Sequence, residues 1–251
     1  MFFPIQDLLF MDELFEVPWK KRCGDTKSSH HSFIKDHRKC VRSLDFETSP
    51  DDRMSFMGQA DAIIPGKLYD PTNEVYVQGR KRAKSKIHEF NNLHPDQEEL
   101  RDNLIRDLFG SCSGNFLIEQ PFYCDYGSNI HIGNNMYSNH NLTILDVVDV
   151  RIGDNVFFGP NVGLYTAGHP LDLERRIGGL EFGLPITIED NVWIGGSVTV
   201  LPGITIGKNS VIAAGSVVVK DIPAGVVAVG NPCKVLREID ERDKRRTNFR
   251  K

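Results

Sequence analysis

Branched aliphatic residues recur at every sixth position along the second half of the chain. A period of six fits neither an α-helix, which repeats after ~3.6 residues, nor a single long strand, in which alternate side chains share a face. It predicts short strands joined by tight turns and stacked as a parallel β-helix, with the aliphatic rows filling its interior. One row is Ile188, Ile194, Val200, Ile206, Ile212 and Val218; its companion is Ile186, Val192, Val198, Ile204, Ser210 and Ser216.

Glycine follows the first row at Gly195 and Gly207, and Ala213 takes the same slot one repeat later. We interpret these positions as corners of the coil. Glycine adopts backbone angles there that a side chain would make unfavourable.

The repeat is interrupted twice, and both interruptions are candidate sites of function. Residues 142–149 hold eight residues where six would complete the repeat, and the period is absent from 166–185 before it resumes in phase. Insertions in a repeat fold emerge as loops on one face, which is often the binding face. We therefore expect functional side chains at these two places.

The sequence divides into four segments. Residues 1–60 show no repeat and are interpreted as an extension that is disordered, with a partner-binding or targeting arm as the alternative because basic residues concentrate between 19 and 42. Residues 61–114 are predicted to be helical, 115–232 to form the β-helix with a loop at 166–185, and 233–251 to be a charged tail that is helical in part.

Two helices are predicted in the second segment. The first opens near Thr72 and presents one face, and the second runs from Pro95 to Gly110 with an apolar side. The first face is Val77, Arg80, Ala83, Ile87 and Phe90; the second side is Leu100, Leu104, Ile105 and Leu108.

Composition excludes several classes of function. The net charge of -4 is too small to favour binding to nucleic acid or to an anionic membrane surface. No apolar run approaches the ~20 residues of a membrane span. Five cysteines at scattered spacings indicate neither a disulfide framework nor a zinc cluster, so a reducing cytoplasm is the expected compartment.

Several motifs occur in order along the β-helix region. Together they resemble the hexapeptide-repeat acyltransferases, in the branch of maltose and galactoside O-acetyltransferases. The resemblance implies a mostly β fold built on a left-handed parallel β-helix, a homotrimer with active sites between subunits, acetyl-CoA as co-substrate, a small saccharide as acceptor, and no metal. The motifs are Gly66-Lys-Leu-Tyr69, Asp125 to Gly133, Asn139 to Thr143, Thr166-Ala-Gly-His-Pro170, Pro185 to Gly195 and Gly230 to Arg237.

His169 is the candidate general base. It lies in the loop that interrupts the repeat, and an imidazole is suited to taking a proton from a hydroxyl near neutral pH. The resemblance implies that this hydroxyl attacks the acetyl thioester directly, with no acyl-enzyme. It also implies that Asn139 helps to position the acceptor and that Glu181 orients the imidazole or favours its protonated form. A local turn bond is the alternative for Asn139.

Further binding residues are implied by the resemblance. Asp125, Tyr137 and Asp146 are expected to contact the sugar, since carboxylates accept hydrogen bonds from vicinal hydroxyls. Val147 replaces an aspartate of the galactoside enzymes and Asp125 replaces their serine, so both positions favour the maltose type. The residues expected along the acetyl-CoA groove are Trp193, Gly196, Ala214, Val219, Lys220, Lys234 and Arg237, with Lys234 in place of an arginine.

Three alternatives stay open. A zinc-dependent carbonic anhydrase on the same fold would use His131, His140 and His169, which must converge at ~2.0 to 2.1 Å from the metal. A β-helix scaffold without catalysis would use the basic stretch at 19–42 for docking. A related acetyltransferase would accept an antibiotic instead of a sugar.

Overall fold

The two aliphatic rows face a shared interior, as their period predicts. In the computed structural model, which describes residues 63–244, every member of both rows is buried. The two serines that end the companion row keep their hydroxyls paired: Ser210 donates to the carbonyl of Pro223 at 2.8 Å, and Ser216 donates to that of Ala213 at 2.6 Å. The predicted β-helix is therefore confirmed, including the polar end of its core.

Three parallel sheets form the sides of the β-helix, and the chain visits them in turn. The first face contains β1 (Ser111–Cys112), β4 (Ile130–Ile132), β7 (Val150–Ile152), β12 (Ile186–Ile188) and β15 (Thr205–Ile206). The second face contains β2 (Phe116–Ile118), β5 (Met136–Ser138), β8 (Phe157–Phe158), β13 (Trp193–Ile194), β16 (Val211–Ile212), β18 (Val226–Val229) and, antiparallel at its edge, β19 (Lys234–Glu238). The third face contains β3 (Phe122–Cys124), β6 (Leu142–Leu145), β9 (Gly163–Tyr165), β14 (Thr199–Val200) and β17 (Val217–Val218).

Both predicted interruptions lie between the third face and the first. After β6 the chain uses four residues before β7 begins at Val150, which is the extra length predicted for 142–149. After β9 it leaves the coil and returns at Ile186, which pairs with Val150. Asparagines stacked across this gap are 36 residues apart and those in the next coil 18 apart, so the insertion equals one full coil and the register is preserved.

The explanation predicted for the corner glycines is wrong. Gly195 and Gly207 do not have positive φ angles; a Cβ on Gly195 would instead lie 2.6 Å from the backbone nitrogen of Ala214 in the next coil. Glycine is required there by close approach of the backbone. Among the non-glycine residues, the left-handed conformation falls mainly on asparagines, which tolerate it and bond to one another from coil to coil. This ladder is Asn135, Asn155, Asn191 and Asn209.

The N-terminal segment contains the two predicted helices, with three corrections to the prediction. α1 (Glu74–Asn92) begins after Asn73, whose side chain accepts from the N–H of Val75, so the cap is Asn73 and not Thr72. α2 (Glu98–Leu108) turns Leu100 outward, 51% exposed, and buries Arg101, which donates to the carbonyl of Ile118 at 2.9 Å. The β-helix also begins at Ser111, inside the range predicted to be helical.

The tail differs from the prediction at its start. It begins as β19, which pairs antiparallel with β18 and so extends the second face by one strand. Within the described part of the tail, only α4 (Glu241–Lys244) is helical. Residues 1–62 and 245–251 lie outside the described range, and so does the predicted disordered extension. Within 63–244, no helix combines the length and apolar character needed to cross a bilayer.

Candidate active site

A short hairpin built from the second insertion carries His169. Its strands are β10 (Ala167–Gly168) and β11 (Phe182–Gly183), and α3 (Leu173–Ile177) lies at its tip. The antiparallel register pairs Gly168 with Phe182. The next residues on the two strands are His169 and Glu181, so this register sets them opposite each other. The hairpin thus brings together two residues that were predicted from the sequence and that are twelve positions apart in the chain.

The hydrogen bond at His169 defines which ring nitrogen can act as a base. Nδ1 lies 3.0 Å from the carbonyl oxygen of Leu180. A carbonyl oxygen only accepts, so Nδ1 carries the proton and Nε2 of the neutral ring keeps its lone pair. The side chain is 54% exposed, and Glu181 Oε1 lies 4.0 Å from Nε2. Nε2 is thus the basic atom of the site, on a half-exposed side chain beside a carboxylate.

Glu181 is held by the N-terminal segment. The hydroxyl of Tyr69 donates to Glu181 Oε2 at 2.6 Å, and the backbones of the two residues exchange hydrogen bonds of 2.9 and 3.1 Å. Burial and the nearby Glu181 carboxylate raise the pKa of Tyr69, which keeps the phenol protonated and able to donate.

A turn after the third face places Asp125 in the same neighbourhood. Its side chain is partly buried, and burial raises the pKa of Asp125, with Arg80 acting in the opposite direction and Glu181 adding to the rise. The turn rests on Asp146: Oδ1 accepts from the N–H groups of Asp125 at 3.0 Å and Tyr126 at 2.9 Å. The two interruptions therefore do meet, one supplying His169 and the other supporting the turn of Asp125.

Asp146 itself does not reach the surface. Its exposed fraction is 0%, and Oδ2 is buried with no hydrogen-bond partner among the described residues. The expected contact between Asp146 and sugar hydroxyls is therefore corrected: a side chain with no exposed surface supports the turn from behind. Burial raises the pKa of Asp146 to about 7 despite the two backbone donors.

Replacement of Asp146 with asparagine should flatten the pH dependence of stability. The folded-state pKa of about 7 lies above the ordinary aspartate pKa of 3.8, so the folded protein loses stability as pH rises through this window, and the loss is complete above it. A shift of this size corresponds to about 4 kcal/mol. Urea unfolding of wild type and Asp146→Asn between pH 4 and 8 checks this, with the exposed Asp96→Asn as control. A variant curve parallel to that of wild type would contradict it.

Asn139 and Tyr137 lie elsewhere on the chain. Tyr137 belongs to β5 on the second face, and Asn139 follows at the corner between the second and third faces, where its Oδ1 accepts from the N–H of His140 at 2.7 Å. His169 lies beyond the opposite edge of the third face. The third face separates the two residues, and a face of about five extended residues spans about 17 Å. One chain therefore does not bring Asn139 to His169.

Comparison with known proteins places the chain in a family. The Maltose acetyltransferase hexapeptide capping motif matches residues 63–114, the Bacterial transferase hexapeptide (six repeats) matches 185–220, and the Hexapeptide repeat of succinyl-transferase matches 149–171. The galactoside O-acetyltransferase of Escherichia coli K12 is 50% identical over 188 residues, which cover 75% of this chain and 93% of that protein. The chain belongs to the hexapeptide-repeat acetyltransferases, in the maltose and galactoside O-acetyltransferase branch.

Solved structures of this acetyltransferase branch superimpose on the chain. A maltose O-acetyltransferase from Clostridium difficile 630 shares 51% identity and a TM-score of 0.69, covering 70% of this chain and 94% of that one. A galactoside acetyltransferase in complex with coenzyme A shares 52% identity and a TM-score of 0.70, covering 71% and 90%. The resemblance stated from the motifs is therefore confirmed at the level of family and fold.

Four of the residues expected along the acetyl-CoA groove of such an acetyltransferase lie at two corners of the coil, and the other three lie on strands of the second face. Gly196 and Ala214 follow strands of the second face, at the same corner as Asn139, and Trp193 points outward from that face, 56% exposed. Val219 and Lys220 follow β17, at the corner of His169. The two tail residues, Lys234 and Arg237, lie on β19, where Arg237 forms a bidentate ion pair with Asp243 at 2.7 Å.

Two residues of the candidate site were not singled out from the sequence. Tyr69 holds Glu181, and Arg80 donates to the hydroxyl of Tyr126 at 2.7 Å and to the carbonyl of Pro71. Tyr69 lies within a motif that carried the resemblance, and Arg80 within the predicted helical face. No local pattern indicates that either side chain reaches a turn or loop so distant in sequence.

The three histidines of the carbonic anhydrase alternative do not converge within one chain. His131 lies on the first face and bonds to Ser111 at 2.9 Å; His140 lies beside Asn139 and bonds to the carbonyl of Gln120 at 2.7 Å. Across residues 63–244 there is no group of three or more histidine, cysteine, aspartate or glutamate side chains arranged to hold a metal ion.

Proposed function

We propose that this chain transfers the acetyl group of acetyl-CoA to a hydroxyl of a small sugar. The observation that carries the proposal is the exposed imidazole of His169, whose Nε2 keeps its lone pair because Nδ1 donates to the carbonyl of Leu180. Family membership supports acetyl transfer, and the names of the relatives supply the acceptor class.

The proposed reaction is a direct transfer. Nε2 of His169 takes the proton of the sugar hydroxyl while the oxygen attacks the carbonyl carbon of the thioester. The tetrahedral oxyanion accepts a hydrogen bond from the backbone N–H of Gly196. The C–S bond then breaks, and the leaving thiolate takes the proton back from the imidazolium. The products are the acetylated sugar and free coenzyme A.

The backbone N–H of Gly196 is the candidate donor to this oxyanion. Its nitrogen lies close to the preceding coil, where a Cβ on Gly159 would come within 2.5 Å of it, so glycine is required at position 159 by the close approach of the two backbones. Among residues 63–244, this N–H has no backbone acceptor of its own.

The cysteines support transfer without an acyl-enzyme. Burial raises the pKa of the Cys112 thiol to about 11 and also raises those of Cys124 and Cys233. Thiols whose pKa is raised above its ordinary value are protonated at neutral pH and are poor nucleophiles. All three are free, which supports a reducing compartment, and we place the enzyme in the cytoplasm.

The surface of the second face supports assembly into a homotrimer. Its outward residues form one apolar column, whereas the corresponding column of the first face is polar. Phe157 and Trp193 in that column are 41% and 56% exposed, and contiguous apolar surface of this kind marks protein interfaces. The apolar column is Leu117, Tyr137, Phe157, Trp193, Val211 and Val227; the polar one is Ser111, His131, Arg151, Thr187 and Thr205.

A threefold arrangement also completes the site. His169, Val219 and Lys220 lie at one edge of the third face, and Asn139 and Gly196 lie at the other. Closed rotational symmetry brings one edge of each subunit against a different edge of its neighbour. We infer that each active site combines the His169 edge of one subunit with the Asn139 edge of the next.

The side chains around His169 suit a polyhydroxylated acceptor. Asp125 and Glu181 supply carboxylate oxygens that accept from hydroxyls, and the guanidinium of Arg80 is held nearby by Tyr126. A second carboxylate that interacts with Glu181 favours a sugar over an apolar antibiotic, because both carboxylates would stay unpaired beside the latter.

An acceptor screen tests the proposed function directly. Purified protein is given acetyl-CoA and a panel of glucose, maltose, β-galactosides and chloramphenicol, and release of free thiol is followed. We expect turnover with at least one sugar and none with chloramphenicol. Turnover with the antibiotic alone would overturn the acceptor assignment. If no hydroxyl acceptor were acetylated and coenzyme A did not bind by calorimetry, the scaffold alternative would replace the enzyme.

A further inference from the structure

The N-terminal segment extends the hairpin that carries His169. The N–H of Gly66 donates to the carbonyl of Gly183 at 2.8 Å, and Tyr69 pairs antiparallel with Glu181 through two backbone hydrogen bonds. Residues 66–69 therefore run alongside the hairpin and are joined to it at both ends by backbone hydrogen bonds. This contact joins positions 112 residues apart in the chain, and it runs beside the candidate base.

The imidazole of His169 has two contacts with this hairpin, one with Leu180 and one with Glu181. The carbonyl of Leu180 accepts from Nδ1 of His169, and the carboxylate of Glu181 faces Nε2 with Oε1 at 4.0 Å. A backbone carbonyl has a fixed position once the hairpin forms. The carboxylate is on a flexible side chain, 24% exposed, so its position must be set by a further contact.

Tyr69 supplies that contact. Its hydroxyl donates to Oε2 of Glu181 at 2.6 Å, which leaves Oε1 directed at His169. The Tyr69 ring is itself held edge-on by Tyr76 of α1, with 5.4 Å between ring centroids and an interplanar angle of 81°. Hydrogen bonds to ionised groups are the strong ones, and they order a side chain that would otherwise sample several rotamers.

We propose, on the basis of the function proposed above, that Tyr69 is a positioning residue for acetyl transfer: its hydroxyl holds one oxygen of Glu181 so that the other stabilises the imidazolium formed at His169. The proton taken from the acceptor hydroxyl arrives on Nε2, which is the nitrogen beside Oε1. A carboxylate fixed at that distance favours the charged ring in the transition state more than the neutral ring in the ground state. The loss should therefore fall on kcat and leave the KM for acetyl-CoA unchanged.

A double-mutant cycle with Tyr69→Phe and Glu181→Gln tests the proposal. Tyr69→Phe keeps the ring and removes only the hydroxyl, and we expect kcat to fall about tenfold, which corresponds to about 1.4 kcal/mol. Glu181→Gln should lower kcat at least as much. Because Tyr69 acts through Glu181, the double variant should match Glu181→Gln within about twofold. Tyr123→Phe, which removes a hydroxyl from an exposed ring on the third face, is the matched control.

Two results would overturn the proposal. Wild-type kcat in Tyr69→Phe would mean that the ring contributes only packing. A double variant whose losses multiply would mean that Tyr69 acts independently of Glu181.

A measurement without turnover separates this proposal from the proposed function. Histidine labelled with ¹⁵N reports the ring environment of His169 by NMR in the intact protein. The ring signals should move in the same direction in Tyr69→Phe and Glu181→Gln and stay in place in Tyr123→Phe. Unmoved His169 signals in Tyr69→Phe would overturn the positioning role, whether or not the acceptor screen finds a substrate.

Discussion

Replacing His169 with alanine is expected to lower kcat by ~10² to 10⁴-fold with little change in affinity for coenzyme A. The range is that of a lost general base, since the acceptor hydroxyl then has to lose its proton to water. The site retains its other contacts because the imidazole is largely exposed and packs against little else. Single-turnover kinetics with the acceptor found in the screen, together with calorimetry of coenzyme A binding, measure both quantities.

A second variant distinguishes the base from a structural role of the same ring. In His169→Asn the amide N–H group can still donate to the carbonyl of Leu180, as Nδ1 does, but no basic atom replaces Nε2. We expect His169→Asn to be as slow as His169→Ala. Near wild-type turnover in His169→Asn would assign the ring to holding the hairpin. His88→Ala, on the exposed side of α1, is the control for loss of a histidine.

Mixing two inactive variants is expected to restore activity. Asn139→Ala should lose ~10²-fold through poor positioning of the acceptor, and His169→Ala loses the base. When equal amounts are unfolded and refolded together, half of the subunits supply an intact Asn139 and half an intact His169. If these residues come from neighbouring subunits of a trimer, about one quarter of the interfaces contain both and about one quarter of wild-type activity returns.

The same mixture gives a different result if one chain supplies both residues. Each chain then carries one defect, and activity stays at the mean of the two variants whatever the assembly. Mixing the variants after folding, without denaturant, is the control for subunit exchange. Sedimentation of the refolded mixture confirms that trimers have formed, and a monomer with restored activity would contradict the intersubunit site.

The interior of the β-helix follows from the sequence because its cause is local. A strand of two or three residues and a turn occupy six positions, so the side chains that face inward must recur with that period. The buried rows from Ile186 to Val218 were predictable residue by residue. The corner glycines were predicted with the wrong cause, because contact between Gly195 and the next coil depends on the spacing of the stack.

The motifs also identified the family and the candidate base. His169 and Glu181 were both singled out from the sequence, yet their proximity depends on the register of a hairpin inside an aperiodic insertion. Asp146 was expected to contact the sugar because carboxylates accept hydrogen bonds from hydroxyls. The structure buries it under the turn of Asp125, where two backbone N–H groups replace water.

The sequence by itself determined the coil, its core and the residue types available for chemistry. Tertiary structure alone decided which of them meet. Asn139 and His169 are separated by the width of the third face, and Tyr69 reaches Glu181 across 112 positions. A short-period repeat specifies contacts at one fixed separation along the chain. The distances between these residues depend instead on where the insertion and the N-terminal segment pack. That packing results from many weak contacts, so it cannot be predicted from the type of any single residue.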